Sequence, residues 1–495
     1  MIYTSPVPDV HIPDVSLSDH VLAECARRPH GAALIDGVTG EVLTYSALDS
    51  GSRRAALGLL DVTAPGDVVA LISHNEPAYA VALHAALRAG LPVAPINPRL
   101  TVDNLIRQLR TAGARVIITS VQAADNAIEA ARRVGVDLVY VMGEADWCRP
   151  FGELLATQDS SLDVGIEPST AVAILPHTTG AGGGSKCAVL THRNLVANLQ
   201  QHQAVAPVTE FDVFCASVPF CHMYGTTLVL NCGLLGGATV ITLPRFELNR
   251  YLDVIQRYGV TRGHLAPPIL VALANSTEME HYDLSSVRQA TSAAAPIDPD
   301  VVRVVEERLG CPIRQGYGAT EASPATHVAF DNEFMTVPAG AVGRPLPNTA
   351  CRIVDLRTGA DADAGELWVR GPQVMRGYLG EHALADGWFR TGDLVRVDAQ
   401  GMFWIVGRLA GPAEYADDRA RLTGLLRAHP RVVDATVIGM PGSGGEQLPH
   451  ALVVANGGVD ARCLLDWIRR QGARLCSVEF VDWLPGRVAM KSVAT

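Results

Sequence analysis

Apolar positions along the first third of the chain recur with two periods in alternation. Ser18 to Arg28 has helical spacing, with Ser18 as candidate N-cap and Asp19 in the first turn. Val68–Ile72 is an unbroken apolar run and predicts a buried strand. Ala78–Gly90 predicts an alanine-rich helix closed by glycine. Val116–Ser120 and Asp137–Met142 are short runs rich in β-branched residues and predict further strands. The rhythm continues through Thr239–Leu243, Arg250–Tyr258 and Gly263–Leu265, and predicts parallel sheets covered by helices. After Ala339 the pattern shortens. Cys351–Asp355, Gly365–Arg370 and Gly401–Val406 alternate in polarity between Gly/Asp turns, which predicts an antiparallel or barrel-like unit. Beyond Arg408–Pro412 helical stretches at Ala420–Ala428 and Ala461–Gln471 mix with strands at Ala435–Gly439, Ala451–Val454 and Val478–Val481, a small α+β unit.

Composition narrows the class. The chain has 495 residues, 48% hydrophobic and 18% charged, enough apolar content to exclude bulk disorder. A net charge of −11 lends no support to a nucleic-acid partner. Ten scattered cysteines without a CxxC pair predict a reduced, cytoplasmic protein with buried thiols. The opening MIYTSPVPDVHIPDV has neither the basic nor the apolar region of a signal peptide. Gly225–Leu243 is uncharged, but its glycines, threonines and Asn231 predict a buried core segment and no membrane partner. Of 40 basic residues only Lys186 and Lys491 are lysines. A compact ammonium can be set against a single oxygen where a planar guanidinium cannot, so the positions of these two matter.

The strongest local signal is Thr178–His192, TTGAGGGSKCAVLTH, following the apolar run Ala171–Pro176. Glycines allow positive φ and close approach, so such a loop can turn backbone N–H groups toward phosphate. It is not the GxxxxGK[ST] P-loop, because Cys187 follows Lys186. No GxGxxG opens a βαβ unit, which disfavours a dinucleotide-binding enzyme. Downstream, in order, stand PFCHMYG (Pro219–Gly225), TSAAAP (Thr291–Pro296), QGYGATEASP (Gln315–Pro324), VGRPLPN (Val342–Asn348), GWFRTGD (Gly387–Asp393), GMFWIVGR (Gly401–Arg408) and LPGRVAMK (Leu484–Lys491).

This ordered set resembles the adenylate-forming superfamily of acyl-CoA synthetases, 4-coumarate:CoA ligase-like enzymes, peptide-synthetase adenylation domains and luciferases, over nearly the whole chain. The resemblance implies an α/β fold with a large N-terminal domain (1–408) of two α/β subdomains plus a distorted β-barrel. A small mobile α+β C-terminal lid domain (409–495) follows. It implies an acid–thiol ligase that makes acyl adenylate and pyrophosphate from a carboxylic acid and ATP, then lets CoA displace AMP. By the same resemblance Thr178, Thr179, Gly180 and Lys186 face the phosphates. Thr320 and Glu321 meet the α-phosphate and Mg²⁺, as a hydroxyl donor beside an oxygen ligand. Tyr317 stacks on adenine, Asp393 accepts the ribose hydroxyls, and Arg408 supports the ribose. His222 stands between the acyl pocket and the thiol path. Gly316, Ala293, Ala294 and Val218–Phe220 line the acyl pocket, and Lys491 contacts the carboxylate and α-phosphate. The chain's two lysines thus fall on the two motif lysines of the family. Cys187, Cys221 and Cys232 have no paired base and read as core thiols.

The sequence also departs from the family. The phosphate loop normally reads [ST]SG[ST][ST]GxPKG, whereas here Ala181 and Gly182 replace the two hydroxyl residues, Ser185 the proline and Cys187 the last glycine. After Gly407–Arg408 the usual Lys-Asp and Gly-Gly hairpin give way to Leu409, Ala410, Gly411 and Pro412, and the stretch is a few residues shorter. These changes predict a weakened ATP-dependent half and an adenylate supplied by a separate adenylating enzyme. A fully competent ligase, transfer to a carrier-protein thiol, and an adenylate-binding pseudoenzyme stay open. The small pocket residues leave room for a bulky or cyclic acid.

Overall fold

In the computed structural model the described residues are 1–156, 161–179, 185–295, 297–384, 386–409, 416–441, 447–455, 459–471, 473, 475 and 477–480. Two seven-stranded sheets dominate. The first runs in the order Leu190–Thr191, Val172–Ile174, Val93–Ile96, Val68–Ile72, Ala114–Ser120, Leu138–Met142 and Arg149–Pro150. The second runs Ile313–Gln315, Gln289–Ser292, Arg262–Leu265, Val213–Ala216, Thr239–Thr242, Ala32–Asp36 and Val42–Thr44. Each is parallel except for one antiparallel edge strand. Val68–Ile72 is buried along its whole length because helices cover both faces of its sheet.

A five-stranded antiparallel sheet, curled into a half-barrel, joins Tyr3–Thr4, Ala350–Val354, Ala364–Arg370, Phe389–Val397 and Phe403–Arg408. Near the end of the described chain, Val432–Pro441, Gln447–Ala455 and Ser477–Phe480 form a three-stranded sheet. Helices Ala416–Arg427 and Ala461–Arg470 accompany it, and Leu422, Leu426, Ala451 and Ile468 share one apolar core. The alternating and antiparallel regions thus fall where the hydrophobic pattern put them. One cap differs. The first helix is Leu17–Val21, and Ser16, not Ser18, accepts from the Asp19 N–H. Ser18 is instead fully buried and bonds the His84 ring. The Gly225–Leu243 stretch is a buried helical turn (Tyr224–Asn231, Cys232–Leu235) leading into the strand Thr239–Thr242. Among the described residues no helix is long and apolar enough to cross a membrane.

Besides isolated backbone bridges such as Gly343 with Phe403 and Ala188 with Tyr378, buried carboxamides connect the layers. Asn75, past the end of Val68–Ile72, donates to the Ala216 and Val218 carbonyls and accepts from the Phe220 N–H, stitching the two parallel sheets together. Helix His192–Val205 carries Asn194, Asn198 and Gln201 on one buried stripe, at spacings of four and three. Asn194 donates to the Pro372 and Val374 carbonyls and also closes a capping box with Thr191. Gln201 donates to the Pro347 carbonyl. Asn198 accepts from the Ala325 N–H at 3.0 Å and donates to its carbonyl at 2.8 Å. Replacing Asn198 with alanine strands both Ala325 groups in the interior. Asn198→Ala should therefore lose roughly 2–6 kcal/mol, the cost of two unsatisfied buried groups. Urea unfolding checks this, and a midpoint equal to that of the parent would refute the stitching role.

Candidate active site

A cavity of about 680 Å³ runs across the second parallel sheet and past the carboxyl ends of its strands, where open α/β sheets place ligands. Thr178, His222, Ala293, Ala294, Gly316 and Tyr317 line it, as do Thr320, Glu321, Asp393 and Arg408. Ten of the residues singled out from the motifs are thus brought to one cavity.

The polar end is built on a short hairpin. Tyr317–Gly318 pairs with Ala325–Val328, and a 3₁₀ turn, Thr320–Ala322, forms its tip. Gly318 is required there, because a Cβ would sit 2.0 Å from the Pro324 carbonyl oxygen. The Ala319 N–H closes the turn on that same carbonyl at 2.9 Å. Glu321 is buried; its backbone carbonyl accepts from the Met375 N–H and its Oε1 from the Tyr378 hydroxyl at 2.7 Å. Across the cavity, Asp393 lies on Phe389–Val397, opposite Arg408 in the antiparallel register. The Tyr317 hydroxyl donates to Asp393 Oδ2 at 2.5 Å, and Arg408 Nε lies 3.6 Å from Oδ1. Burial raises the Asp393 pKa above the usual carboxylate range, against the opposing pull of Tyr317 and Arg408. Tyr317 therefore holds this carboxylate by hydrogen bond, a contact that its motif did not predict.

The phosphate-loop segment is a two-stranded hairpin, His177–Thr179 against Ser185–Cys187, with Thr178 opposite Lys186. Lys186 does not line the cavity. Its ammonium pairs with Glu381 at 2.9 Å and lies 4.6 Å from the Tyr378 ring centroid. Tyr378 thus joins the lysine to Glu321, and it is a cavity residue the motif reading missed; its place in the Gly-flanked RGYLG turn was the only available signal. Gly180, Ala181, Gly182, Gly411, Pro412 and Lys491 lie outside the described residues, as does the Thr179 side chain.

At the other end the wall is small and apolar. Val218 and Pro219 line it, whereas Phe220 is fully buried behind them. Ala294 adopts φ +80°, a left-handed conformation that costs a non-glycine residue about 1 kcal/mol, held beside the cavity. His222 is open to the cavity yet surrounded by protein on most sides, and that desolvation lowers its pKa. Gly225 admits the turn carrying it, since a Cβ there would meet the Pro219 carbonyl oxygen at 2.1 Å. Burial pushes the Cys187, Cys221 and Cys232 thiols up to about 12, so they are inert as nucleophiles. A separate cavity of about 800 Å³, bordered by Asn97, Arg99 and Arg245, shares only Pro219 with the predicted site residues.

Among the described residues no cluster of three His, Cys, Asp or Glu could hold a metal by itself. Glu321 offers one carboxylate beside the Thr320 hydroxyl. That donor set fits Mg²⁺, which is bound through one or two carboxylates with substrate phosphates and water.

A profile described as AMP-binding enzyme matches residues 21–379. A 4-coumarate–CoA ligase of Oryza sativa subsp. japonica is 34% identical over 92% of this chain and 86% of its own. Among solved structures, ATP-bound MatB of Rhodopseudomonas palustris is 26% identical, covers 96% of each chain and has a TM-score of 0.76. The amide bond synthetase Mcba of Marinactinospora thermotolerans is 25% identical, covers 95% of each chain and has a TM-score of 0.73. The chain therefore belongs to the AMP-binding, adenylate-forming enzymes, in their acyl-CoA synthetase, 4-coumarate:CoA ligase-like branch.

Proposed function

We propose that this enzyme carries an acyl group from an acyl adenylate to CoA, with residues 1–408 holding adenylate and acid and residues 409–495 closing over them. The convergence of Thr320, Glu321, Asp393 and Arg408 on one cavity carries the reading. Asp393 accepts the ribose hydroxyls with its remaining lone pairs while Tyr317 fixes its orientation. The Thr320 hydroxyl donates to an α-phosphate oxygen, where negative charge builds up during attack. When bound, Mg²⁺ beside Glu321 supplies charge neutralisation. Lys186 and Glu381 are each about half exposed, and such a pair is worth at most about 1 kcal/mol, so the ammonium is free to turn to phosphate. Lys491 draws the carboxylate onto the α-phosphate. In the second step the thiol sulfur attacks the acyl carbonyl carbon, the bond to AMP breaks, and the thiol proton passes to His222. The desolvation that lowers the His222 pKa leaves the ring neutral and able to accept it.

The adenylation half is the weaker one in this reading. Ala181 and Gly182 lack the hydroxyls that would donate to the β- and γ-phosphates. Two lost hydrogen bonds to charged groups correspond to a slowing on the order of 10²–10⁴-fold, and an adenylate made by a separate enzyme then becomes a usable substrate. A second acceptor is favoured by a specific observation. Leu409–Pro412 replaces the hairpin that approaches CoA in the family, and an amide bond synthetase is among the similar structures. An amine nitrogen attacking the same carbonyl, losing its proton to His222 as AMP departs, would form an amide.

Turnover rates with CoA or an amine, a lysine variant and pH dependence test these assignments. Pyrophosphate release from ATP plus acid should be slower, by roughly 10²-fold or more, than product formation from synthetic acyl-AMP plus CoA; equal rates would remove the weakened half. Replacing CoA by an amine in the same assay decides the acceptor. Lys491→Ala should abolish residual pyrophosphate release while sparing transfer from acyl-AMP, and equal loss of both steps would show the lysine misassigned. The last concerns pH. Because the Asp393 pKa is raised, the folded apoprotein holds that proton more tightly than the unfolded chain does. Its contribution to stability is full at low pH and is lost as pH rises through the folded value. AMP binding, which needs the carboxylate, has the opposite sign and should weaken as pH falls, starting above the ordinary aspartate range. Calorimetric titration should show this slope in the parent and a flat, weaker profile in Asp393→Asn.

A further inference from the structure

A segment outside every motif, Met375 to Glu381, bonds both the phosphate hairpin and the Thr320–Ala322 turn. The Met375 N–H donates to the Glu321 carbonyl at 2.8 Å. The next residues run antiparallel to the return arm of the hairpin, with Tyr378 bridged to Ala188. Arg376 N–H donates to the Val189 carbonyl at 3.1 Å, Val189 N–H to the Gly377 carbonyl at 3.0 Å, and Leu379 N–H to the Cys187 carbonyl at 2.8 Å. The chain then turns back on itself. Glu381 N–H donates to the Tyr378 carbonyl at 3.0 Å, and Gly380 takes φ +80° at the third position, where such a turn favours glycine.

This backbone frame sets two side chains against the site. The Tyr378 hydroxyl is the one hydrogen-bond partner of the Glu321 side chain among the described residues, and it occupies only Oε1. Burial, with the Glu321 charge beside it, raises the Tyr378 pKa, so the hydroxyl keeps the proton it donates. The Tyr378 ring lies 4.6 Å from the Lys186 ammonium, and Glu381 Oε1 lies 2.9 Å from it. Lys186 and Glu321 form no ion pair with each other among the described residues; Tyr378 meets both. A direct pair would occupy an oxygen of Glu321 and hold the ammonium in place. Glu381 supplies the counter-charge instead, and neither it nor Lys186 lines the cavity. Both contacts of the ammonium are weak at such exposure, so a polyanion can outcompete them.

We propose that Tyr378 and Glu381 are positioning residues of the adenylating half: Tyr378 aims the Glu321 carboxylate at the cation, while its ring and Glu381 park Lys186 outside the cavity until the phosphates of ATP draw it in. The proposal rests on the reading of this cavity as the adenylate site. It gives the two residues effects of opposite sign. Losing the Tyr378 hydroxyl leaves Glu321 unaimed and weakens the help that Mg²⁺ gives to ATP. Losing the Glu381 charge releases Lys186 and favours the triphosphate over AMP, which lacks the outer phosphates. A merely structural role would move ATP and AMP together.

The test measures ATP and AMP binding to the full chain by calorimetry without any acid, each with Mg²⁺ and with EDTA. In the parent Mg²⁺ should tighten ATP. Tyr378→Phe, which keeps the ring, should cut that enhancement by roughly 10-fold or more, the usual loss when a group orienting a metal ligand is removed. Glu381→Gln should raise the ratio of ATP to AMP affinity in EDTA by about 2- to 5-fold, the scale of a half-exposed ion pair. Should Tyr378→Phe fold poorly, the Glu381→Gln ratio decides alone, since that side chain is about half exposed. Either ratio left at the parent's value, or a parent indifferent to Mg²⁺, overturns the proposal and leaves the adenylate site standing. Failure of the parent to bind ATP and AMP overturns the adenylate reading and the proposal with it.

Discussion

The enzyme depends on backbone groups that no sheet satisfies. Its layers meet at Asn75, Asn194, Asn198 and Gln201, each nine-tenths or more buried and each bonded to main-chain groups of a different segment. A buried carbonyl or N–H without a partner costs about 1–3 kcal/mol, so these amides act through the penalty of their absence more than through the bonds they make. Asn198 is the one nearest the chemistry. By clamping Ala325 it fixes one arm of the hairpin whose other arm carries Tyr317 and whose tip carries Thr320 and Glu321. The position of the Glu321 carboxylate is thereby tied to the docking of a helix.

The same logic governs the charges. Burying Asp393 disfavours its ionised form, and the buried carboxylates Asp393 and Glu321 are each met by a tyrosine hydroxyl, Tyr317 and Tyr378 respectively. A phenol stabilises a carboxylate without neutralising it, so both keep lone pairs free for further partners. Arginine is kept at arm's length: Arg408 lies 3.6 Å from Asp393 and is mostly exposed. A tight bidentate pair would have occupied both carboxylate oxygens. At the opposite end of the cavity the Arg262–Asp331 pair is held closer, at 3.0 Å.

Much of this was legible in the sequence. Alternating α/β periodicity, the switch to antiparallel texture after Ala339 and the mixed final unit all follow from local patterning, because side-chain period dictates which face is buried. The motif residues could be named because short spacings within GYGATE and FRTGD place groups on one turn or one strand. Other features were illegible for physical reasons. The first helix begins two residues earlier than its apolar spacing implied, since Ser16 rather than Ser18 reaches the Asp19 N–H while Ser18 is drawn inward to His84. Tyr378 lies 57 residues from the carboxylate it bonds. His202, His264 and Asp331 share no motif and line one cavity only because a helix, a strand and a loop converge.

The amino-acid sequence alone determined the class of fold, the family, and many of the residues that the cavity gathers, because those groups sit within short segments whose geometry is local. Tertiary structure decided how they are held. Tyr317 turning to Asp393, Lys186 resting on Glu381 and Tyr378 meeting Glu321 each depend on partners far away in the chain. Burial and hydrogen-bond direction belong to the folded interior, and no local spacing encodes them.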